Sequence, residues 1–176
     1  MSSKKSKKKS QSYGMNRITR DMLTLNGNPI WRAFSKVPIS DKSKMSIGLS
    51  GRKSLYALTN GAGDLDDCKD LMLTAFAGIY LAEQGYGADL MDDFTAALAT
   101  ILDCHTRGRT GLFYTLDPAE ASKVAILLDM HEQQLELADK SELSDAIVES
   151  YRRAGDVLRA PLLSTASVPN GHAGLA

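Results

Sequence analysis

The run from Leu71 to Ala82 is apolar on nearly every face a helix would present, apart from Thr74 and Gly78. A helix of that kind has no side suited to water, so other elements must surround it. No stretch of the chain approaches the ~18 uninterrupted apolar residues of a membrane span, so the surroundings are expected to be protein. Asp64 suits the N-cap, with Asp66 and Asp67 in the first turn, where the helix dipole favours anions. Gly85 supplies a left-handed stop. The spacing therefore predicts a central helix over residues 64–84.

Four further segments carry helical periodicity. Residues 88–106 place Leu90, Phe94, Ala97, Leu98, Ile101 and Leu102 on one stripe. Residues 118–138 open with Asp117 as cap, Pro118 at the first helical position and Glu120 completing a capping box. Their inward face reads Ala121, Val124, Leu128, His131, Leu135 and Ala138. Residues 141–158 carry Leu143, Ile147, Tyr151, Ala154 and Leu158, and Pro161 ends the pattern. Residues 40–60 are weaker: Ser40, Ser46 and Ser50 each suit an N-cap, and Gly48 and Gly51 lower helix propensity in the first half. Leu112 to Leu116 suits a short extended piece, but no second strand exists to pair with it. The expected fold is all-α, a single bundle of four to five helices. In a chain of 176 residues with 43 % hydrophobic content, one domain accounts for it.

The ends differ in kind from the middle. Residues 1–14 hold five Lys and five Ser, with no aliphatic side chain after Met1. Such a segment buries too little surface to offset chain entropy, so a disordered arm is expected. Residues 15–39 read as an irregular strap, with the Asn26-Gly27-Asn28-Pro29 turn followed by Ile30, Trp31 and Phe34. These side chains either pack on the helical body or, through Trp31 and Arg32, stack on an exposed base. Residues 160–176 read as a flexible tail.

Formal net charge is zero, yet it is sharply divided. Residues 1–60 hold nine Lys and four Arg against Asp21 and Asp41, a net +11; residues 61–151 come to −13, and residues 152–176 to +2. Segregation of this kind points to a nucleic-acid arm or an interaction tail. The competing account is that the basic residues fold back to neutralise the acidic helices, or serve solubility alone.

Sequences that would carry catalysis are weak. Gly48 to Ser54 resembles the end of a phosphate loop, but Arg52 breaks the Gly-Lys-Ser run and no strand precedes it. What survives is a basic, Ser- and Gly-bearing stretch, Ser50 to Ser54, able to hold a phosphate if it opens a helix. His105 and His131 fall on apolar helix faces, Cys68 faces inward and Cys104 adjoins His105, but without metal-ligand spacing, so no metal or other cofactor is expected. No nucleophile elbow or dyad occurs, and no enzyme activity is expected. A helix-turn-helix over 40–84 is disfavoured, because Asp64, Asp66, Asp67 and Asp70 would meet the phosphates.

The expected function is that of a non-enzymatic accessory protein. It associates with nucleic acid or a nucleoprotein through Lys4, Lys5, Lys7, Lys8, Lys9, Arg17, Arg20, Arg52 and Lys53, while the acidic body oligomerises or docks a partner. The alternative is an interaction module or inhibitor presenting Asp66, Asp67, Asp70, Asp92 and Asp93 to a basic protein partner. Two cysteines give no disulfide framework, so a reducing compartment is expected: the cytoplasm, or the nucleus in a nucleated cell.

Overall fold

The structure, a computed structural model, describes residues 36–111 and 113–159. Within them the chain is all-α, with five α-helices and no strand. They are α1 (Asp41–Thr59), α2 (Leu65–Glu83), α3 (Met91–Arg109), α4 (Pro118–Leu137) and α5 (Lys140–Arg159). A single 3₁₀ turn, Ala88–Leu90, leads into α3. No helix among the described residues is long and apolar enough to cross a membrane. The expected arm at 1–14, the strap up to residue 35 and the tail at 160–176 lie outside the described residues.

α2 occupies the centre and touches each of the other four helices. Its sequence explains why: Leu71, Met72, Ala75, Phe76, Ala77, Gly78, Ile79, Leu81 and Ala82 are all buried. No two of its faces could be left to water without exposing several of these side chains, each contributing about 1.5–3 kcal/mol when a large aliphatic or aromatic group is fully buried. One cluster gathers Leu71, Met72 and Phe76 with Phe94, Ile101, Val124 and Leu127. A second joins Ile39, Leu81, Leu135 and Leu143 at the other end. Ile39 reaches it because Pro38 pairs with Asp139 across an isolated bridge.

The helix starts follow the expected caps. Asp64 and Asp67 form a reciprocal capping box on α2, and Asp117 with Glu120 forms another on α4. α5 has an unforeseen one: Asp139 Oδ1 accepts from the N–H groups of Ser141 and Glu142, and Glu142 returns the contact to Asp139 N–H at 2.8 Å.

Four expectations need correction. Ser40, not Ser46 or Ser50, caps α1, and the helix runs unbroken through Gly48 and Gly51. Both glycines lie against α4; a Cβ on Gly51 would stand 2.7 Å from Leu128 Cδ2. They mark a close helix contact rather than a weak start. On α5, Tyr151 is 38 % exposed, while Ala146, Ser150 and Ala154 are buried. Small side chains let α5 approach its neighbours, which turns its seam away from the larger residue. The 3₁₀ turn displaces the start of α3 to Met91, and its end extends to Arg109. The described part of the expected extended piece, residues 113–116, forms no strand; Leu116 N–H instead donates to Leu58 O at 3.1 Å.

Candidate functional site

Of the expected nucleic-acid contacts, Lys4, Lys5, Lys7, Lys8, Lys9, Arg17 and Arg20 lie outside the described residues, and Arg52 and Lys53 sit on α1. Arg52 faces α4. Its Nε donates to Glu132 Oε1 at 3.0 Å and its Nη2 to Asp129 Oδ1 at 2.5 Å. Those two carboxylates hold the guanidinium's pKa well above its ordinary range. Lys53 is exposed and makes no ion pair among the described residues. Because α1 opens at Ser40, Ser50 to Ser54 lie mid-helix and offer no free N–H groups to a phosphate.

Other cations of the body are likewise engaged. Lys44 meets Glu136, Lys69 meets Asp66, and Arg107 meets Glu120. Arg153 bridges Glu83 and Glu149, and Arg152 bridges Glu149 and Asp156. Residues 36–159 hold thirteen Lys and Arg against twenty Asp and Glu, so the body is −7, and residues 1–35 supply the balancing +7.

The expected acidic face separates into two groups. Asp67 closes the α2 capping box, Asp66 pairs with Lys69, and Ser50 donates to Asp70 at 3.4 Å. Partial burial pushes the Asp70 carboxyl above its ordinary value, against the pull of the Ser50 hydrogen bond. Asp92 and Asp93, in the first turn of α3, are exposed and unpaired among the described residues. The first group is therefore partly structural, and the second is open to solvent.

A shallow cavity of about 430 Å³ lies between α1 and α4, walled by Met45, Leu49 and Leu135 and rimmed by Lys44, Arg52 and Glu132. The lining sets Lys44 and Arg52 against Asp41, Glu132 and Glu136, one negative charge in excess, so the cavity is no site for an anion.

Cys68 and Cys104 converge. Both are fully buried, one near the start of α2 and one near the end of α3, with their sulfurs 3.6 Å apart. Cys104 Sγ also donates to Thr115 O at 3.5 Å, and Arg107 Nη2 donates to the same carbonyl at 2.8 Å. Arg107 is held by both oxygens of Glu120, each at 2.9 Å. The two histidines do not join the thiols: no three His, Cys, Asp or Glu among the described residues are grouped as metal ligands would be. His131 Nδ1 meets Gln134 Oε1 at 3.1 Å, whereas His105 Nε2 is buried with no partner among the described residues. Burial lowers both imidazole pKa values, and Arg109 and Lys69 lower that of His105 further. Comparison with known protein families, with curated proteins and with solved structures finds no match to this chain.

Proposed function

We propose that the protein is a non-enzymatic accessory factor that associates with nucleic acid or a nucleoprotein through its basic N-terminal third. The observation that carries this reading is the charge division: −7 on the helical body against +7 on residues 1–35. Seven of the body's basic residues already pair with its own carboxylates, which leaves the body unsuited to a polyanion. Lys4, Lys5, Lys7, Lys8, Lys9, Arg17 and Arg20, with Lys53, supply the cations. Such contacts release counterions and read no sequence. The body then serves for self-association or for docking a second protein. A cytoplasmic or nuclear site of action follows from the proposed ligand.

Asp92 and Asp93, exposed and unpaired among the described residues, favour a second reading, in which the first turn of α3 meets a basic partner protein.

Fluorescence anisotropy with mixed-sequence DNA and RNA tests the first reading. Full-length protein should bind with an affinity that falls steeply as salt rises, by a slope of roughly −0.7 to −0.9 per phosphate neutralised. A variant lacking residues 1–14 should lose most of that slope. Absence of binding at low salt, or a slope unchanged by the deletion, refutes the reading.

A further inference from the structure

We infer that Cys68 and Cys104 form a reversible redox pair, closed to an intramolecular disulfide by peroxide and reopened by thiols. The chain has only two cysteines, 36 positions apart, and the fold brings their sulfurs into contact at 3.6 Å. A disulfide needs about 2.0 Å between sulfurs, so small side-chain movements close the gap.

The two thiols are not equivalent. The S–H of Cys68 donates to the sulfur of Cys104 and so favours a thiolate there; the Arg107 guanidinium adds to that effect, and together they hold Cys104 below the ordinary thiol range despite its burial. The same contact and burial push Cys68 up. Cys104 is thus the attacking sulfur and Cys68 the resolving one. The cover over Cys104 is the Thr115 carbonyl, in the linker joining α3 to α4, where Phe113 is 81 % exposed. Leu116 anchors the linker in the core, so the route for a small oxidant is local opening on the exposed Phe113 side of Thr115.

The chemistry balances with hydrogen peroxide as co-reactant. The Cys104 thiolate attacks one peroxide oxygen, the O–O bond breaks, and the departing hydroxide takes up the proton that Cys104 gave up, leaving water. Cys104 is then a sulfenic acid. The Cys68 sulfur attacks that sulfur, its proton leaves with the hydroxyl as a second water, and the S–S bond forms. The two sulfurs together lose two electrons, and one peroxide is reduced to two waters. In a reducing compartment such a bond is transient, which suits a sensor rather than a staple.

The test uses the full chain under native conditions. Hydrogen peroxide should yield a monomer lighter by about 2 Da, the mass of two hydrogens. Peptide mapping should find Cys68 joined to Cys104, and dithiothreitol should reverse it. In Cys68→Ser, dimedone should trap a sulfenic acid on Cys104; in Cys104→Ser, Cys68 should stay largely unlabelled. Cross-linking between chains overturns the inference. So does an unchanged mass at peroxide levels that oxidise both thiols of the urea-unfolded chain. Preferential dimedone labelling of Cys68 overturns the assigned roles. If either serine variant fails to fold, the wild-type mass and peptide map still decide the question.

Discussion

The side-chain nitrogen of Gln134 lies 3.0 Å from the backbone oxygen of Gly78, joining α4 to the middle of α2. The same nitrogen donates to Tyr86 O at 2.8 Å, past the end of α2, and the amide oxygen meets His131. One buried polar side chain therefore satisfies two carbonyls and an imidazole inside an otherwise apolar contact. Gln134→Leu keeps the volume and removes all three contacts. It should cost about 1–3 kcal/mol, the cost of leaving a buried polar group such as Tyr86 O or His131 Nδ1 without its partner, while Gly78 O, inside α2, keeps its helical hydrogen bond. Urea unfolding should show the lower midpoint with an unchanged slope, the mark of a stability change without a change of fold.

Gly78 is tightly held on its other side as well. A Cβ there would stand 2.4 Å from Phe94 Cε1, and Phe94 is fully buried. Gly78→Ala should gain up to about 1 kcal/mol in helix propensity and lose more to displacement of the ring, for a net loss of about 1–2 kcal/mol. Phe94→Leu should itself be destabilising, but in that background the added methyl should cost much less. Non-additivity in a double-mutant cycle checks this.

The carriers of the fold differ in how plainly the sequence announces them. The run from Leu71 to Ala82 and the Asp117-Pro118-Glu120 start are local signals, and both act as read. Asp139 and Glu142 form an equally local capping pair that the pattern of α5 obscured. The outward turn of Tyr151 was not legible, because the rotation of α5 is set by how closely Ala146, Ser150 and Ala154 let it approach. The same holds for Gly48 and Gly51: their low propensity is a local property, and their contact with α4 is a tertiary one. The meeting of Cys68 with Cys104 depends on the register of α2 against α3, which no periodicity in either helix specifies. Arg52 looked like a free cation for a similar reason, since Asp129 and Glu132 lie far along the chain.

Acid should destabilise the protein in two stages. His105 and His131 have folded-state pKa values below the ordinary 6.5, chiefly through burial. The unfolded chain therefore binds more protons in weak acid. The stability they permit is complete above about pH 6.5 and is lost as pH falls through the folded values. Glu149 titrates lower, at about 2 against an ordinary 4.5, because Arg152 and then Arg153 hydrogen-bond to it. Its contribution is present above pH 4.5 and fades toward pH 2. Midpoints of urea unfolding from pH 8 to pH 3 should fall in these two windows. His105→Leu should shrink the first step, and because His105 Nε2 has no partner to lose among the described residues, stability at pH 8 should hold or rise.

Arg107 should resist even conservative replacement. Its planar fork meets both oxygens of Glu120 and the Thr115 carbonyl, and Glu120 in turn caps Asp117 N–H at 3.0 Å. A lysine supplies one mobile head in place of that fork. Arg107→Lys should lower stability by about 1 kcal/mol, and Arg107→Ala by about 1–2 kcal/mol, as expected for a charge-assisted pair that is partly shielded from water. Because Arg107 also favours the Cys104 thiolate, Arg107→Ala should move the reaction of the native protein with a thiol reagent to higher pH, measured by stopped-flow absorbance.

Arg52 and Lys53 separate structure from binding within adjacent positions. Arg52 ties α1 to α4 through Asp129 and Glu132, but its side chain is 44 % exposed, so the pair is largely screened. Arg52→Ala should cost at most about 1 kcal/mol, and it should leave nucleic-acid affinity nearly unchanged, because its charge is already matched by two carboxylates. Lys53 has no such partner among the described residues. Lys53→Ala should leave the unfolding midpoint in place and lower the salt slope of binding by about 1. Measuring both variants by thermal unfolding and by salt-titrated anisotropy distinguishes the two roles. Equal effects of the two substitutions on binding would mean that the Arg52 ion pairs open when the polyanion arrives, and would place the whole of that α1 turn in the interface.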